Sequence, residues 1–253
     1  CVHTVHNVAK VEAEGTAQAI LNRFYYHRGW SVPVALSPEV QRTVTEFYGL
    51  DRVPVIFNGV NLHRCIPKRS YGLGDTVSLL HIGRFDEQKN HAGLLQAFAK
   101  LLKTHPNCCL NLLGDGHLRT EMENYARELG IGHAVRFLGN QADVHPYLHD
   151  ADMFLLPSKY EGMPMTIIEA MGTGLPIVAS RVGGVPDMLR DGESGLLVGC
   201  DPDEVCAACE RLIDSEELRR TLGQNALADS VRFSAETMAK RYCEEYERLT
   251  AKK

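Results

Sequence analysis

Short apolar runs alternate with amphipathic stretches along most of this chain, and this alternation limits its fold more than any other feature. Residues 77–82 form one such run, and the apolar residues that follow fall on one helical stripe ending before Pro106. Further strands are predicted at 108–113, 135–138, 153–156, 176–180 and 195–198. Continuous apolar strands alternating with helices are typical of a parallel sheet covered on both faces. The sequence therefore predicts a doubly wound α/β domain of Rossmann type.

A less complete α/β region precedes this domain. Its predicted elements are a strand at the start, a helix at 13–25, a strand at 32–36, a helix at 38–47 and a strand at 53–57. Residues 61–75, with one proline and two glycines, are interpreted as a linker. The predicted segments are an incomplete α/β part at 1–64, a linker at 65–75, a Rossmann-like domain at 76–232 and a helix at 233–253 that crosses back to the first part.

The composition is that of a globular protein without an extended nucleic-acid surface. The 253 residues include 27 Lys and Arg and 32 Asp and Glu, which gives a formal charge of −5. Because neither sign forms a long run, we expect no nucleic-acid partner. No apolar stretch approaches the ~20 residues that cross a bilayer, and we recognise no signal sequence, so we expect a cytoplasmic protein. The eight cysteines are interpreted as reduced thiols.

Gly83, Arg84 and Lys89 form the first candidate site, directly after strand 77–82. The glycine permits a tight turn, and a guanidinium and an ammonium five residues apart can converge on one anion. A diphosphate suits that pair. The alternative is two solvated side chains in an ordinary loop, and the spacing alone favours this alternative.

A second candidate site follows strand 153–156. Pro164 suits the first turn of a helix, so the free N–H groups of Met165 and Thr166 and the positive helix end should face the strand ends. Glu161 and Glu169, eight positions apart, are acceptors for the hydroxyls of a ribose or hexose. The alternative is one capping and one surface glutamate. The pattern indicates a second anion site beside a sugar site.

Two glycine pairs give weaker signals. Gly183 and Gly184 follow the next strand, and Gly114 and Gly116 follow strand 108–113. We expect the first pair to let the backbone approach a ligand closely. The chain contains neither the six-position glycine fingerprint of NAD enzymes nor a Walker sequence.

The paired aspartates are interpreted as structural. Asp152 precedes a buried strand, and Asp201 precedes Pro202 as an N-cap precedes the first helical residue. The histidines show no helix-face pair. We therefore expect no metal.

Three segments together resemble the group 1 (family four) retaining glycosyltransferases, which have the GT-B fold. They are the Gly83 loop with Lys89, the Glu-x7-Glu segment 161–169, and Val-Gly-Gly-Val-Pro-Asp at 182–187. Residues 55–60 are similar to the stretch by which that family leaves its first domain. The resemblance implies two facing Rossmann-like domains, the second of them complete here and the first lacking its opening part before Cys1.

The resemblance also implies a catalytic set. Arg84 and Lys89 would hold the donor diphosphate and neutralise the leaving nucleotide, and Glu161 would contact sugar hydroxyls. His6 matches the family's histidine near the reaction centre.

The remaining implied residues bind the donor. Glu169 would bind the ribose, and Phe137 lies in the stretch whose main chain meets the base. The other implied donor-binding residues form the Gly83 turn and a backbone cradle for sugar and phosphate: Gly83, Gly162, Met163, Pro164, Met165 and Thr166.

The implied reaction moves a hexosyl group from a UDP- or GDP-type nucleotide sugar to a hydroxyl acceptor with retention and without a metal. The acceptor would be a glycan or a lipid-linked molecule, in polysaccharide, glycolipid or cell-envelope glycan synthesis. Two alternatives stay open: a GT-B sugar-nucleotide epimerase, and a catalytically incomplete fragment that binds the nucleotide sugar.

Residues 23–30 mix basic and aromatic side chains, which is typical of helices that bind a membrane surface. They predict peripheral contact at the inner face of the cell membrane. The alternative, which we favour, is a helix with one apolar face and a solvated end.

Overall fold

The computed structural model describes residues 1–5 and 15–251, and their strands form two parallel sheets. The strands are β1 (Val2–Val5), β2 (Val32–Ala35), β3 (Val77–Ile82), β4 (Cys108–Leu113), β5 (Val135–Gly139), β6 (Met153–Leu156), β7 (Ile177–Ser180) and β8 (Leu196–Val198). The α-helices are α1 (Thr16–His27), α2 (Pro38–Tyr48), α3 (His91–Thr104), α4 (Arg119–Glu128), α5 (His145–Asp150), α6 (Met165–Thr173), α7 (Val185–Met188), α8 (Pro202–Asp214), α9 (Glu216–Ser230) and α10 (Ala235–Thr250). Short 3₁₀ turns lie at Leu62–Arg64, Glu87–Lys89 and Val231–Phe233.

The larger sheet has the strand order β5-β4-β3-β6-β7-β8, with every pair parallel. The chain moves outward from β3 on one side and then returns to begin the other side at β6. This is the doubly wound order, and ligands in such sheets bind where the direction reverses, at the carboxyl ends of the two central strands. The predicted fold class is confirmed.

Helices cover both faces of this sheet. Neighbouring residues on one strand belong to opposite cores, because side chains alternate across a strand. Leu79 packs into one core with Phe98, and Leu80 packs into the other with Phe154. This burial on both sides explains why the strands read as continuous apolar runs.

Caps fix several helix starts. Ser37, Ser215 and Ser234 each accept a hydrogen bond from the backbone N–H three residues later. Asp201 accepts from the Asp203 N–H at 2.7 Å, with Pro202 as the first helical residue. The structural interpretation of Asp201 is confirmed, as is that of Asp152, whose carboxylate accepts from the Ser78 N–H at 2.8 Å.

Among the described residues of the N-terminal part, the sheet consists of the pair β1 and β2. The predicted strand at 53–57 is wrong: Val55 forms an isolated bridge with Ala35. Pro54 explains the interruption, because proline has no N–H to continue the ladder. The first helix begins at Thr16, and residues 13 and 14 of its predicted range lie outside the described residues.

The predicted linker lies against the larger sheet's helices. The Lys68 N–H donates to the Thr173 carbonyl at 2.9 Å, and the Tyr71 hydroxyl donates to the Gly174 carbonyl at 3.0 Å. Tyr71 and Cys65 are buried. The segment is therefore packed against the surface of the domain that contains the larger sheet. The predicted boundaries at 64, 75 and 232 stay predictions.

The C-terminal helix contacts the N-terminal part. The Tyr242 hydroxyl lies 2.8 Å from the Thr4 hydroxyl. At its start, Val60 and Ser234 form a parallel bridge, in which the Val60 N–H donates to the Phe233 carbonyl at 3.0 Å. A Cβ on Gly59 would lie 2.6 Å from the Ser234 carbonyl oxygen, so only glycine fits there.

Candidate functional site

A cavity of about 450 Å³ lies at the carboxyl ends of β3 and β4 and the start of α6. Its lining brings together two sequence-predicted groups, the loop after β3 and the helix start. The predicted site residues in the lining are Gly83, Arg84, Lys89, Pro164, Met165 and Thr166. The loops after β4 and β5 complete the wall with Asp115, Asn140 and Gln141.

Glycines allow these loops to pack on each other. A Cβ on Gly114, whose φ is +127°, would lie 2.0 Å from the Gly83 carbonyl oxygen. A Cβ on Gly116 would lie 2.4 Å from the Phe85 carbonyl oxygen. The missing side chains thus fix the position of the loop that carries Arg84.

Arg84 is held at the cavity mouth by Asp86. Its Nε donates to Asp86 Oδ2 at 2.7 Å, while its side chain stays 75% exposed. Asp86 Oδ1 also accepts from the Lys89 N–H at 3.3 Å. Burial alone would raise the pKa of Asp86, but the hydrogen bonds from Arg84 and the Lys89 backbone outweigh it and lower the pKa below its ordinary value. Asp86 therefore stays ionised and organises the loop.

Lys89 is paired with Glu161, and the sequence did not predict this pair. Lys89 Nζ lies 2.6 Å from Glu161 Oε1, and the two side chains are 16% and 5% exposed. Gln88 Nε2 lies 3.4 Å from the other oxygen, Oε2. Two of the four predicted catalytic residues, Lys89 and Glu161, are thus brought into direct contact.

Helix α6 begins at Met165, with Pro164 in the cap position rather than in the first turn. The first N–H groups of a helix have no acceptor within it, and they carry its positive dipole end. The Thr166 hydroxyl is buried and has no hydrogen-bond partner among residues 1–5 and 15–251. The cavity wall formed by Met165 and Thr166 therefore offers donors.

Met163 and Gly162 are held by other segments. The Asn58 N–H donates to Met163 Sδ at 3.2 Å, which attaches the predicted cradle to the stretch 55–60. The Gly162 carbonyl accepts from the Gly184 N–H at 3.0 Å.

Gly183 and Gly184 pack against the loop that carries Glu161, and their predicted close approach to a ligand stays a prediction. A Cβ on Gly183, whose φ is +51°, would lie 1.7 Å from the Glu161 carbonyl oxygen. A Cβ on Gly184 would lie 2.2 Å from the Gly162 carbonyl oxygen. The absence of a Cβ at both positions lets them pack against this loop and position Glu161, and both glycines also line the second cavity described below.

A second cavity, of about 620 Å³, lies between α2 and the loops after β3, β6 and β7. Its lining includes Glu39 from α2 together with Tyr160 and Glu161. Glu161 therefore borders this cavity while its partner Lys89 lines the first.

Glu169 and Phe137 lie apart from the lining. Burial raises the pKa of Glu169, and His145 and Arg64 offset part of that effect. The Phe137 ring packs 5.9 Å from that of Phe85, while its carbonyl accepts from Arg119 at 3.4 Å. Both residues stay predictions as ribose and base contacts, and His6 lies outside the described residues.

Two buried histidines behind the Arg84 loop had no sequence signal. The His81 Nδ1–H donates to the Leu155 carbonyl at 2.9 Å, and His91 stacks on Phe85 with ring centroids 3.9 Å apart. Burial lowers the pKa of His81 to about 4 and that of His91 to about 2, so both rings are neutral. His81 Nε2 would lie 2.8 Å from a Cβ on Gly83, which requires glycine there.

The residues described here contain no group of three or more His, Cys, Asp or Glu that could hold a metal ion. Within those same residues, no helix combines the length and apolar character that crossing a bilayer requires. Five large apolar side chains on and after α1 are exposed: Ile20, Leu21, Phe24, Tyr25 and Trp30. Contact of this face with a membrane surface stays a prediction.

Fold and site together define an α/β protein whose cations and helix start face the switch point of a doubly wound sheet. Residues 68–229 match the family model for glycosyl transferases, group 1, and the chain belongs to that family. The resemblance inferred from the three motifs is confirmed.

Curated relatives agree with this assignment. The chain is 37% identical over 176 residues to a D-inositol 3-phosphate glycosyltransferase of Corynebacterium kroppenstedtii, an alignment with 66% of this chain and 39% of that protein. It is 31% identical over 225 residues to the lipopolysaccharide core biosynthesis glycosyltransferase LpsE of Rhizobium meliloti, covering 87% of this chain and 65% of that protein. The chain thus spans about two fifths to two thirds of the length of these relatives.

Solved structures share the fold over nearly the whole chain. A sucrose-phosphate synthase from Thermosynechococcus elongatus aligns with a TM-score of 0.85 at 25% identity, covering 100% of this chain and 68% of that one. Anabaena HepE, solved in complex with UDP, aligns with a TM-score of 0.88 at 23% identity, covering 98% of this chain and 72% of that one.

Proposed function

We propose that the cavity between the Arg84 loop and α6 binds a nucleoside diphosphate sugar, and that the chain provides the donor side of a glycosyl transfer. One observation carries this proposal: Arg84, Lys89 and the start of α6 line the same 450 Å³ space. Cations and a helix N-terminus are what a diphosphate requires, because each supplies donors and positive potential. Family membership and the UDP complex of the structurally similar HepE support this assignment.

The donor sugar would extend from this cavity toward Glu161. That carboxylate borders the 620 Å³ space, where hydroxyl groups of a hexose can donate to its oxygens. The acceptor would enter from the same side, past Glu39 of α2. The proposed donor carries UDP or GDP, and the proposed acceptor is the hydroxyl of a glycan or of a lipid-linked molecule.

The reaction would proceed with retention at the anomeric carbon. The acceptor oxygen forms a bond to that carbon on the face that the diphosphate leaves, the bond from the carbon to the phosphate oxygen breaks, and the acceptor proton passes to the departing phosphate. Arg84, Lys89 and the α6 start would stabilise the charge on the leaving group, and positioning would supply much of the remainder. This scheme assigns no step to a metal.

The test is donor binding by a double variant that removes both cations. The nucleotide sugar used is UDP-glucose or GDP-mannose, whichever stabilises the wild-type chain in a thermal-shift screen. In Arg84→Ala/Lys89→Ala, we expect its affinity to fall by about 100-fold or more, since each of the two lost charge-assisted hydrogen bonds contributes about 1.5–3 kcal/mol. Isothermal titration calorimetry measures the loss.

Lys100→Ala/Arg220→Ala is the matched control. It removes one lysine and one arginine from surface ion pairs with Asp203 and Glu216, away from the cavity. Its affinity should equal that of the wild type. Unchanged binding in the Arg84 and Lys89 variant would refute the proposed site.

A further inference from the structure

The two cations of the site are restrained to different degrees. Lys89 and Glu161 form a pair from which water is nearly excluded, with side chains 16% and 5% exposed. The Arg84 guanidinium also has a carboxylate partner, but its side chain is 75% exposed. Coulombic coupling is strong in a dry environment and weak in a solvated one. Lys89 is therefore committed to Glu161, whereas Arg84 is available to an incoming anion.

Glu161 has unused acceptor capacity on the side opposite Lys89. Its Oε1 meets the ammonium at 2.6 Å, while Oε2 meets the Gln88 amide at 3.4 Å, which is long for a hydrogen bond. A buried carboxylate has about four lone-pair sites to satisfy. Hydroxyl groups in the 620 Å³ cavity would satisfy those that the protein leaves open.

A nucleoside diphosphate and its sugar-bearing form would meet this pair differently. Both bring phosphate oxygens that compete with Glu161 for the Lys89 ammonium. The sugar-bearing form also brings hydroxyls that donate to the carboxylate and replace part of what the ammonium gave it. The sugar-free form brings no such donors, and its terminal phosphate carries more negative charge toward Glu161.

We propose that Glu161 determines specificity against the product: it weakens binding of the sugar-free nucleoside diphosphate by retaining Lys89 whenever no sugar hydroxyl occupies its carboxylate. The inference rests on the proposed function and adds to it a basis for product release. When the glycosyl group leaves, the hydroxyls leave with it, and Glu161 takes the ammonium back from the diphosphate. The same ion pair thus favours binding of the nucleotide sugar over binding of the sugar-free nucleoside diphosphate.

The experiment measures the affinities of the whole chain for UDP and UDP-glucose, and for GDP and GDP-mannose, by isothermal titration calorimetry. In Glu161→Gln, the carboxylate that holds Lys89 becomes a neutral amide of the same size. We expect the sugar-free diphosphate to bind about tenfold more tightly than in the wild type, because a freed buried cation interacts strongly with an anion. The nucleotide sugar should bind no more tightly than in the wild type.

Glu87→Gln is the matched control. Glu87 lies in the loop of Arg84 and Lys89, but its side chain is 68% exposed and contacts His117 rather than Lys89. Its affinities should stay within about twofold of the wild type, since exposed charges are screened. Glu161→Asp keeps the charge and should bind the sugar-free diphosphate more weakly than Glu161→Gln does. Thermal unfolding of each variant establishes that it is folded.

The outcomes separate the two proposals. If the wild type binds a diphosphate and Glu161→Gln binds it equally or less tightly, the inference fails and the proposed function stands. If Glu87→Gln tightens binding as much as Glu161→Gln, the inference also fails, because general charge would explain the effect. If the wild type binds none of the four nucleotides, the proposed function fails together with the inference.

Discussion

The N-terminal part and the six-stranded sheet are both α/β structures, but they bury their apolar residues to different extents. Each face of the larger sheet packs under helices, and its central strands are almost fully buried. The two-stranded sheet shares a smaller core with α1 and α2. Six of the eleven exposed large apolar side chains among the described residues lie before residue 50. The comparison teaches that the same local alternation yields a closed core only where both sheet faces are covered.

The largest expected difference between the two regions is in the loss of unfolding free energy when one large side chain is removed from each. Phe98 is 1% exposed in the core of the larger sheet, and Phe24 is 45% exposed on α1. We expect Phe98→Ala to lower the free energy of unfolding by about 3–5 kcal/mol and Phe24→Ala by about 1 kcal/mol or less. Urea titration followed by circular dichroism measures both. Equal losses of unfolding free energy in the two variants would show that the two regions do not differ in how far their apolar side chains stabilise the fold.

Glycine substitutions sharpen the comparison at the level of loops. Gly183 and Gly29 both have positive φ, +51° and +67°, but only Gly183 would place a Cβ against backbone, whereas nothing lies within 4 Å at Gly29. We expect Gly183→Ala to cost about 2–3 kcal/mol and Gly29→Ala about 1 kcal/mol, which is the cost of positive φ alone. Thermal unfolding compares them. A similar cost at both sites would show that the close approach to Glu161 relaxes freely.

The smallest effect concerns the link between the two regions. Tyr242→Phe removes the hydrogen bond to Thr4 and should cost about 1 kcal/mol. Amide exchange in β1 should become faster. Tyr246→Phe is the control, because the Tyr246 hydroxyl has no hydrogen-bond partner within the described part of the chain. If exchange in β1 does not change in Tyr242→Phe, the contact does not stabilise the N-terminal strand.

Much of the larger sheet could be predicted, because its signal is local. The runs 77–82, 108–113 and 153–156 match β3, β4 and β6 residue for residue. In each, a continuous apolar run has one favourable outcome, burial on both faces. The run 53–57 looked equivalent, but one proline removed the donor that a ladder needs.

The candidate site was only partly predictable. Motif spacing gave the loop of Arg84 and the start of α6, because both follow strands whose ends must meet at one edge. It did not give the pairing of Lys89 with Glu161, since 72 positions separate them and only tertiary packing sets their distance. Nor did it give the role of Gly183, because a glycine signals close approach without saying what approaches.

The chain passes between the N-terminal part and the six-stranded sheet at two neighbouring places, Val60 and Ser234. The two crossings meet in one short parallel bridge, where Gly59 packs against Ser234. Glu39 precedes the crossing at Val60 and Glu161 follows it, whereas every residue that lines the cavity of Arg84 lies between the two crossings. The shape of the larger cavity therefore depends on how the two parts are placed, whereas the smaller cavity is built from one of them alone.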